Sequence, residues 1–173
     1  GNQISGSFQI TISDSESPIL ASVPADLVLT NQSGQCGSIA TWTNPSSSDN
    51  CAVVSSTQTH DSGEFFPVGT TTVEFNIEDE AANSDSARAQ ITVLDGESPT
   101  ISGLSGDITV SNTTGDCSAA VTWAMPQADD NCGIASFELS HDSGSVFPVG
   151  TTLVTATATD DAGNTHAESF EVT

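Results

Sequence analysis

Phe66-Pro67-Val68-Gly69-Thr70-Thr71-Thr72-Val73-Glu74-Phe75-Asn76-Ile77-Glu78-Asp79-Glu80-Ala81-Ala82-Asn83 is the stretch that decides the fold. Val73, Phe75 and Ile77 alternate with Thr72, Glu74 and Asn76. A period of two puts the apolar set on one face of a half-buried strand. Pro67 fixes φ and Gly69 permits a positive φ, so Phe66–Gly69 reads as a corner feeding that strand. Asp79–Asn83 reads as a hairpin loop. Ala89, Ile91 and Val93 then alternate with Arg88, Gln90 and Thr92 along the return.

Every landmark of this stretch recurs 81 residues later, without a gap. Cys36, Trp42, Pro45, Asp49, Asn50, Cys51, His60, Asp61, Ser62, Gly63 and Phe66 return as Cys117, Trp123, Pro126, Asp130, Asn131, Cys132, His141, Asp142, Ser143, Gly144 and Phe147. A fixed long period marks one architecture used twice. Gly1–Ile12 aligns with Ala82–Val93, the end of the repeat, so the sequence reads as a window on a longer array. Strands are predicted over 26–30, 37–43, 52–59, 64–67, 71–78 and 85–93, with Asn31–Gln35 as a further hairpin loop. Breakers about every ten residues suit sandwiches of about seven short strands. The expected fold is all-β: residues 1–13 as an orphan last strand, then sandwiches over 14–94 and 95–173. Trp42 and Trp123 read as core residues packed beside the bridges. His60-Asp61-Ser62 and its copy are not a triad, because adjacent residues of an extended chain point to opposite faces.

Four cysteines allow three pairings. Repeat symmetry predicts Cys36–Cys51 and Cys117–Cys132, fifteen residues apart in each case. A metal-binding or free thiol pair is the alternative, but no CxxC is present. Disulfides imply an oxidising compartment. The chain has 23 acids, Arg88 as its one basic residue besides histidine, and a net charge of −22. Nucleic acid and anionic membrane both need a basic surface and are excluded as partners. Without lysine there is no Lys–Asn isopeptide crosslink. No apolar run is long enough to insert into a membrane. Asn31 and Asn112 each head an N-glycosylation sequon.

The run Trp-x-x-Pro, Asp-Asn-Cys, Asp-Ser-Gly, Phe-Pro-Val-Gly-Thr-Thr and Asp-x-Ala-x-Asn resembles the HYR domain, or hyalin repeat. It occurs from Trp42 to Asn83 and from Trp123 to Asn164. The resemblance implies immunoglobulin-like, extracellular modules found in tandem and used in adhesion. The further cysteine that many bacterial members carry after the Ala-x-Asn turn is absent.

Following the strands up and down each sandwich brings three acidic segments to the end where the chain enters. For the first module they hold Asp14, Glu16, Asp49, Asp79 and Glu80; for the second, Asp95, Glu97, Asp129, Asp130, Asp160 and Asp161. So many hard oxygen ligands suit calcium. A solvated acidic face is the competing reading. Proline closes each short linker, Ser13–Pro18 and Leu94–Pro99, which favours a semi-rigid rod.

The expected function is structural. The chain is read as a repeat segment of a large extracellular or cell-surface protein, an adhesin shaft, stalk or filament, stiffened by calcium at module junctions. Its partners would be further copies of the repeat in cis, lateral copies of itself, and a surface ligand met by a tip elsewhere. The alternative is a glycan- or protein-binding accessory module of a secreted protein, for which no exposed aromatic groove is legible. No nucleophile elbow or histidine cluster points to an enzyme.

Overall fold

A computed structural model describes residues 1–173. The first repeat carries β1 (Ile19–Ala21), β2 (Leu27–Thr30), β3 (Gly37–Ile39), β4 (Ser46–Ser48), β5 (Val53–Gln58), β6 (Phe65–Pro67), β7 (Gly69–Asp79) and β8 (Ser84–Leu94). The second carries β9 (Thr100–Ser102), β10 (Ser118–Ala120), β11 (Gln127–Asp129), β12 (Ile134–Leu139), β13 (Val146–Pro148), β14 (Thr152–Asp160) and β15 (Thr165–Val172). Every regular element is a strand, as the period-two pattern requires. In the first repeat the sheets run β2-β8-β7-β5, β1-β4 and β3-β6. In the second they run β12-β14-β15, β9-β11 and β10-β13. A bridge from Ile108 to Val172 stands where β2 meets β8.

The long hairpins β7–β8 and β14–β15 match the predicted strands. Gly69 and Gly150, at φ 118° and 121°, make the corner before each. The predicted strand 37–43 is corrected: β3 stops at Ile39, and 40–45 is irregular. The cause is the Asp-Ser-Gly turn. The Ser62 hydroxyl accepts the Trp42 N–H and donates to the Trp42 carbonyl, both at 2.8 Å, occupying the groups a ladder would use. Ser143 does the same for Trp123 at 2.9 Å. The motif thus patches the backbone beside the tryptophan. Trp123 itself packs on rings, 5.2 Å from Phe170 and 5.9 Å from Phe147.

The chain divides into two compact units. One gathers Gly1–Leu27, Ala40–Glu64 and Thr70–Ile91; the other gathers Val28–Ile39, Phe65–Gly69 and Thr92–Thr173. The first buries Ala40, Val73, Phe75, Ile77, Ala89 and Ile91. The second is centred on Val121, Phe147, Val154, Phe170 and Val172, with Leu104, Ile108, Trp123 and Leu139 against them. The repeats differ by compensation. Phe75 and Ala89 of the first become Ala156 and Phe170 in the second, so a large and a small residue trade places and core volume is kept. In Gly1–Ile12, which forms no strand here, Phe8 and Ile12 are 86% and 93% exposed. Their counterparts Ala89 and Val93 are buried.

The cysteine pairing differs from expectation. Cys36 is bonded to Cys132, and Cys51 and Cys117 are free and exposed. Strand length is the reason. The hairpin before Cys36 is tied to the end of β8, where the Asn31 N–H donates to the Leu94 carbonyl. The loop holding Cys51 leads into Val53, which is paired with Asp79 just before β8 begins. Eleven residues of β8 hold those ends roughly 30 Å apart at about 3.3 Å per residue. A disulfide needs Cα atoms within about 7 Å. Cys36 and Cys132 meet this, at 4.8 Å.

Candidate functional site

Of the eleven acids that sequence reading singled out, four come together in two small clusters, one per repeat. Asp14, Asp49 and Cys51 place one ligand atom each within 4.8 Å of the others, and so do Asp95, Asp130 and Cys132. The local cause is a pair of Asx turns. Asp14 Oδ1 accepts the Glu16 N–H at 3.1 Å, and Asp49 Oδ2 accepts the N–H groups of Cys51 and Ala52 at 2.8 and 3.2 Å. The second cluster repeats this. Asp95 Oδ1 accepts from Glu97 at 3.2 Å, and Asp130 Oδ1 from Cys132 and Gly133 at 2.8 and 3.3 Å. One oxygen of each carboxylate is thereby fixed by the backbone.

The other oxygen of each is buried without a hydrogen-bond partner: Asp14 Oδ2, Asp49 Oδ1, Asp95 Oδ2 and Asp130 Oδ2. Buried polar atoms are nearly always satisfied, so four such orphans at two pairs of equivalent positions need an explanation. The Glu16 N–H, together with the Cys51 thiol beside it, holds the Asp14 carboxyl below its usual value, so it is charged at neutral pH. Carboxylates that approach this closely repel one another when both are charged.

The remaining predicted residues lie around these pairs in different roles. Asp79 and Asp160 are buried but spend their oxygens on their own turns. Asp79 Oδ1 accepts from the N–H of Ala81 and of Asn83, and Oδ2 from Asn83 Nδ2, all at 2.8 Å. Asp160 Oδ1 and Oδ2 accept from the N–H and Nδ2 of Asn164 at 2.7 and 2.8 Å. Burial works to raise the Asp160 pKa, but these bonds outweigh it and the net shift is downward. Glu80 lines a cleft with Asp14, Asn50 and Cys51, and Glu16 lines one with Ser48 and Asp49. Asp161 lies against Gly133, its Oδ2 3.0 Å from where a β-carbon would stand. Asp129 lines a groove with Asp130 and Glu97.

Glu97 has a role that sequence reading missed. Its carboxylate accepts the Gly34 N–H at 2.7 Å, the Ser33 hydroxyl at 2.8 Å and Asn31 Nδ2 at 3.2 Å. The Gly34 bond, then the Ser33 bond, hold its pKa below the usual value. Asn31 Oδ1 in turn accepts the Gly96 N–H at 2.9 Å, and Asn131 Nδ2 donates to the Gln35 carbonyl at 3.1 Å. Together with the Cys36–Cys132 bridge, these bonds clasp the 31–36 hairpin between the 95–97 linker and the 130–132 loop. Asn31 and Asn112 hold equivalent places, which sequence reading took as hairpin-loop sequons without seeing this bond.

The HYR domain family matches residues 13–93 and again 94–173. Hyalin of Lytechinus variegatus is 29% identical over 98% of this chain and 33% of its own length. Hyalin of Strongylocentrotus purpuratus is 31% identical over 95% of the chain and 14% of its length. A sushi, von Willebrand factor type A, EGF and pentraxin domain-containing protein of Rattus norvegicus is 30% identical over 87% of the chain and 4% of its length. The chain therefore spans a third or less of these relatives. Among solved structures, protocadherin gamma C5 EC1-3 covers 90% of this chain and 67% of its own at 15% identity and a TM-score of 0.38. Drosophila N-cadherin EC1-4 covers 91% of this chain and 49% of its own at 13% identity and a TM-score of 0.36. The setting of the chain is extracellular or at the cell surface. With both halves matched, the chain belongs to the HYR domain family and carries that domain twice.

Proposed function

We propose that this chain is a structural segment of a large extracellular or surface-attached protein, an adhesin shaft, stalk or filament. In this reading calcium held at the Asp14–Asp49 and Asp95–Asp130 pairs stiffens it. The repeats over 14–94 and 95–173 are the unit of the array, and its partners are further copies of the repeat in cis. One arrangement supports the calcium reading: in each pair both carboxylates keep a buried oxygen without a hydrogen-bond partner, and the two carboxylates bring ligand atoms within 4.8 Å of each other. The fit is good on chemistry. Calcium takes oxygen ligands at about 2.3–2.6 Å, so two ligands of one ion lie within about 5 Å of each other. The 4.8 Å span satisfies that. At the Asp95–Asp130 pair Cys132 is spent in a disulfide, so the donors left are oxygens, which suit a hard cation. At the Asp14–Asp49 pair the free Cys51 stands beside them, and its hydrogen bond to Asp14 pushes its pKa up, so it stays a neutral thiol and leaves the ligand role to the carboxylates. Glu80 and Asp161, beside the pairs, are the further carboxylates within the neighbourhood.

Calorimetric titration of the whole chain tests this. Two calcium ions per chain are expected. Asp49→Asn should remove one and Asp130→Asn the other, while Glu74→Gln, half-buried on β7 and paired with Arg88, should remove neither. Calcium should also raise Tm, by an amount set by RT ln(1 + [L]/Kd), about 2.7 kcal/mol at a hundredfold excess over Kd. If calcium and sodium at equal ionic strength act alike, the acids are a solvated face and the proposal fails.

A further inference from the structure

We propose that the Cys36–Cys132 bridge and the Glu97 clasp are one instance of a joint made between successive repeats. Cys51 and Cys117 are the open halves of that joint, each fitted to a second copy of the repeat. This inference goes beyond the calcium reading and does not need it.

Each half of the joint is built twice. In the occupied hairpin the Gln32 N–H donates to the Gly37 carbonyl, the Gln35 N–H to the Gln32 carbonyl, and the Val68 N–H to the Cys36 carbonyl. In the copy, Thr113, Asp116 and Val149 donate to Ser118, Thr113 and Cys117 in the same order. Asn112, Thr114 and Gly115 stand where Asn31, Ser33 and Gly34 hold Glu97, and offer the same three donors: an amide, a hydroxyl and a backbone N–H. On the other half, Asp49 organises the loop before Cys51 as Asp130 organises the loop before Cys132. Glu16 sits in the linker turn where Glu97 sits, its N–H on Asp14 as that of Glu97 is on Asp95. One copy of the chain therefore presents both halves, the Cys117 hairpin and the Cys51 loop.

The spacing fixes the order. The bonded cysteines are 96 residues apart, one repeat of 81 plus 15. Cys117 is thereby in phase with the Cys51 of a copy that follows, and Cys51 with the Cys117 of a copy that precedes. The halves differ, so the contact is head-to-tail and propagates, rather than closing as a symmetric dimer. Closing a bridge takes two thiols and returns two protons and two electrons to a disulfide oxidant. With glutathione disulfide, exchange through a mixed disulfide gives the bridge and two glutathione thiols. Successive loops then overlap between Cys117 and Cys132, so an oxidised array has no stretch of repeat outside a closed loop.

An in-register fusion tests this. Thr173 holds the same repeat position as Thr11, so residues 1–173 followed directly by 12–173 keep the phase. The fusion is folded in glutathione redox buffer with chelator, and its disulfides are mapped without reduction. Cys117 of the first copy should join Cys51 of the second, so free thiols fall from the four of two separate chains to two. Cys117→Ser in the first copy should restore one free thiol at Cys51 of the second and leave both Cys36–Cys132 bridges intact. Glu16→Gln in the second copy should slow closure of the new bridge alone. The single chain is the second measurement: its Cys51 and Cys117 should both label with maleimide. Four free thiols in a fusion that keeps both Cys36–Cys132 bridges would overturn the proposal. So would a Cys36–Cys51 bridge in either protein.

Discussion

Replacing Cys132 with serine should destabilise the chain by more than a bridge within one repeat could account for. The magnitude follows from the loop. Cys36 and Cys132 enclose 96 residues, and in the chain-entropy model a loop near 100 residues restricts the unfolded ensemble by about 4.7 kcal/mol. A bridge from Cys36 to Cys51 would close fifteen residues and contribute about 3 kcal/mol. The native contribution is smaller still for that alternative, since β8 keeps the two residues at opposite ends. Urea unfolding under oxidising conditions measures the difference. Cys36→Ser and Cys132→Ser should each cost about 4–5 kcal/mol, and the double variant no more than either, because one bond is lost in all three. Cys51→Ser and Cys117→Ser should change little. Coupling of Cys36 with Cys51, or additive losses in the Cys36/Cys132 double variant, would refute the assignment.

Ser143→Ala should remove about 1–3 kcal/mol by leaving the Trp123 N–H and carbonyl without their hydroxyl partner, read as a fall in Tm. Gly150→Ala should cost about 1–2 kcal/mol, because φ there is 121° and a β-carbon is disfavoured at positive φ. Asp160 gives a pH dependence. Its folded pKa lies below the ordinary 3.8, so its contribution is present above 3.8 and is lost as pH falls through the lowered folded value. Asn164→Ala removes one of the bonds that lower it, from Nδ2, and keeps the backbone N–H, so the acid-dependent loss should be smaller and complete at a higher pH in melts between pH 5 and 2.

The long hairpins were legible because alternation over eight to eleven residues is a strong signal, and both copies carry it. β1 and β4 were not. Ile19–Ala21 is too short to show a period, and Ser46–Ser48 carries no apolar residue at all. The end of β3 was misread because alternation at Ala40 and Trp42 continues past the point where Ser62 takes over the backbone. At the candidate site, Asp14, Asp49, Asp95 and Asp130 were found because acids recur at repeat positions that strand direction brings together. The same strand directions put Cys36 and Cys51 at opposite ends of a sandwich, so the signal against their pairing was present and repeat symmetry overrode it. The Glu97 clasp had no local signal, since its partners lie 63 to 66 residues away.

Charge in this chain is handled by the backbone. Arg88 pairs with Glu74 at 2.8 Å, but the guanidinium is 72% exposed, and exposed pairs contribute about 0–1 kcal/mol. Most acids with defined roles instead accept N–H groups in Asx turns or, for Glu97, from a neighbouring hairpin. That arrangement leaves two kinds of negative charge. The exposed acids are spread over the surface, and at physiological ionic strength, where the Debye length is about 8 Å, mobile salt screens them from one another. The paired oxygens of Asp14 with Asp49 and Asp95 with Asp130 are different. In each pair the carboxylates bring ligand atoms within 4.8 Å, inside the screening length, and each keeps a buried oxygen, so a diffuse ion atmosphere compensates them poorly. An ion seated on both carboxylates would compensate them directly. The proposed calcium reading therefore separates two behaviours in one experiment. Sodium should raise Tm gradually with ionic strength in every variant. Calcium should add a saturable increment that Asp49→Asn and Asp130→Asn remove while the sodium response is unchanged. A calcium increment that survives both substitutions would place the charge compensation elsewhere on the acidic surface.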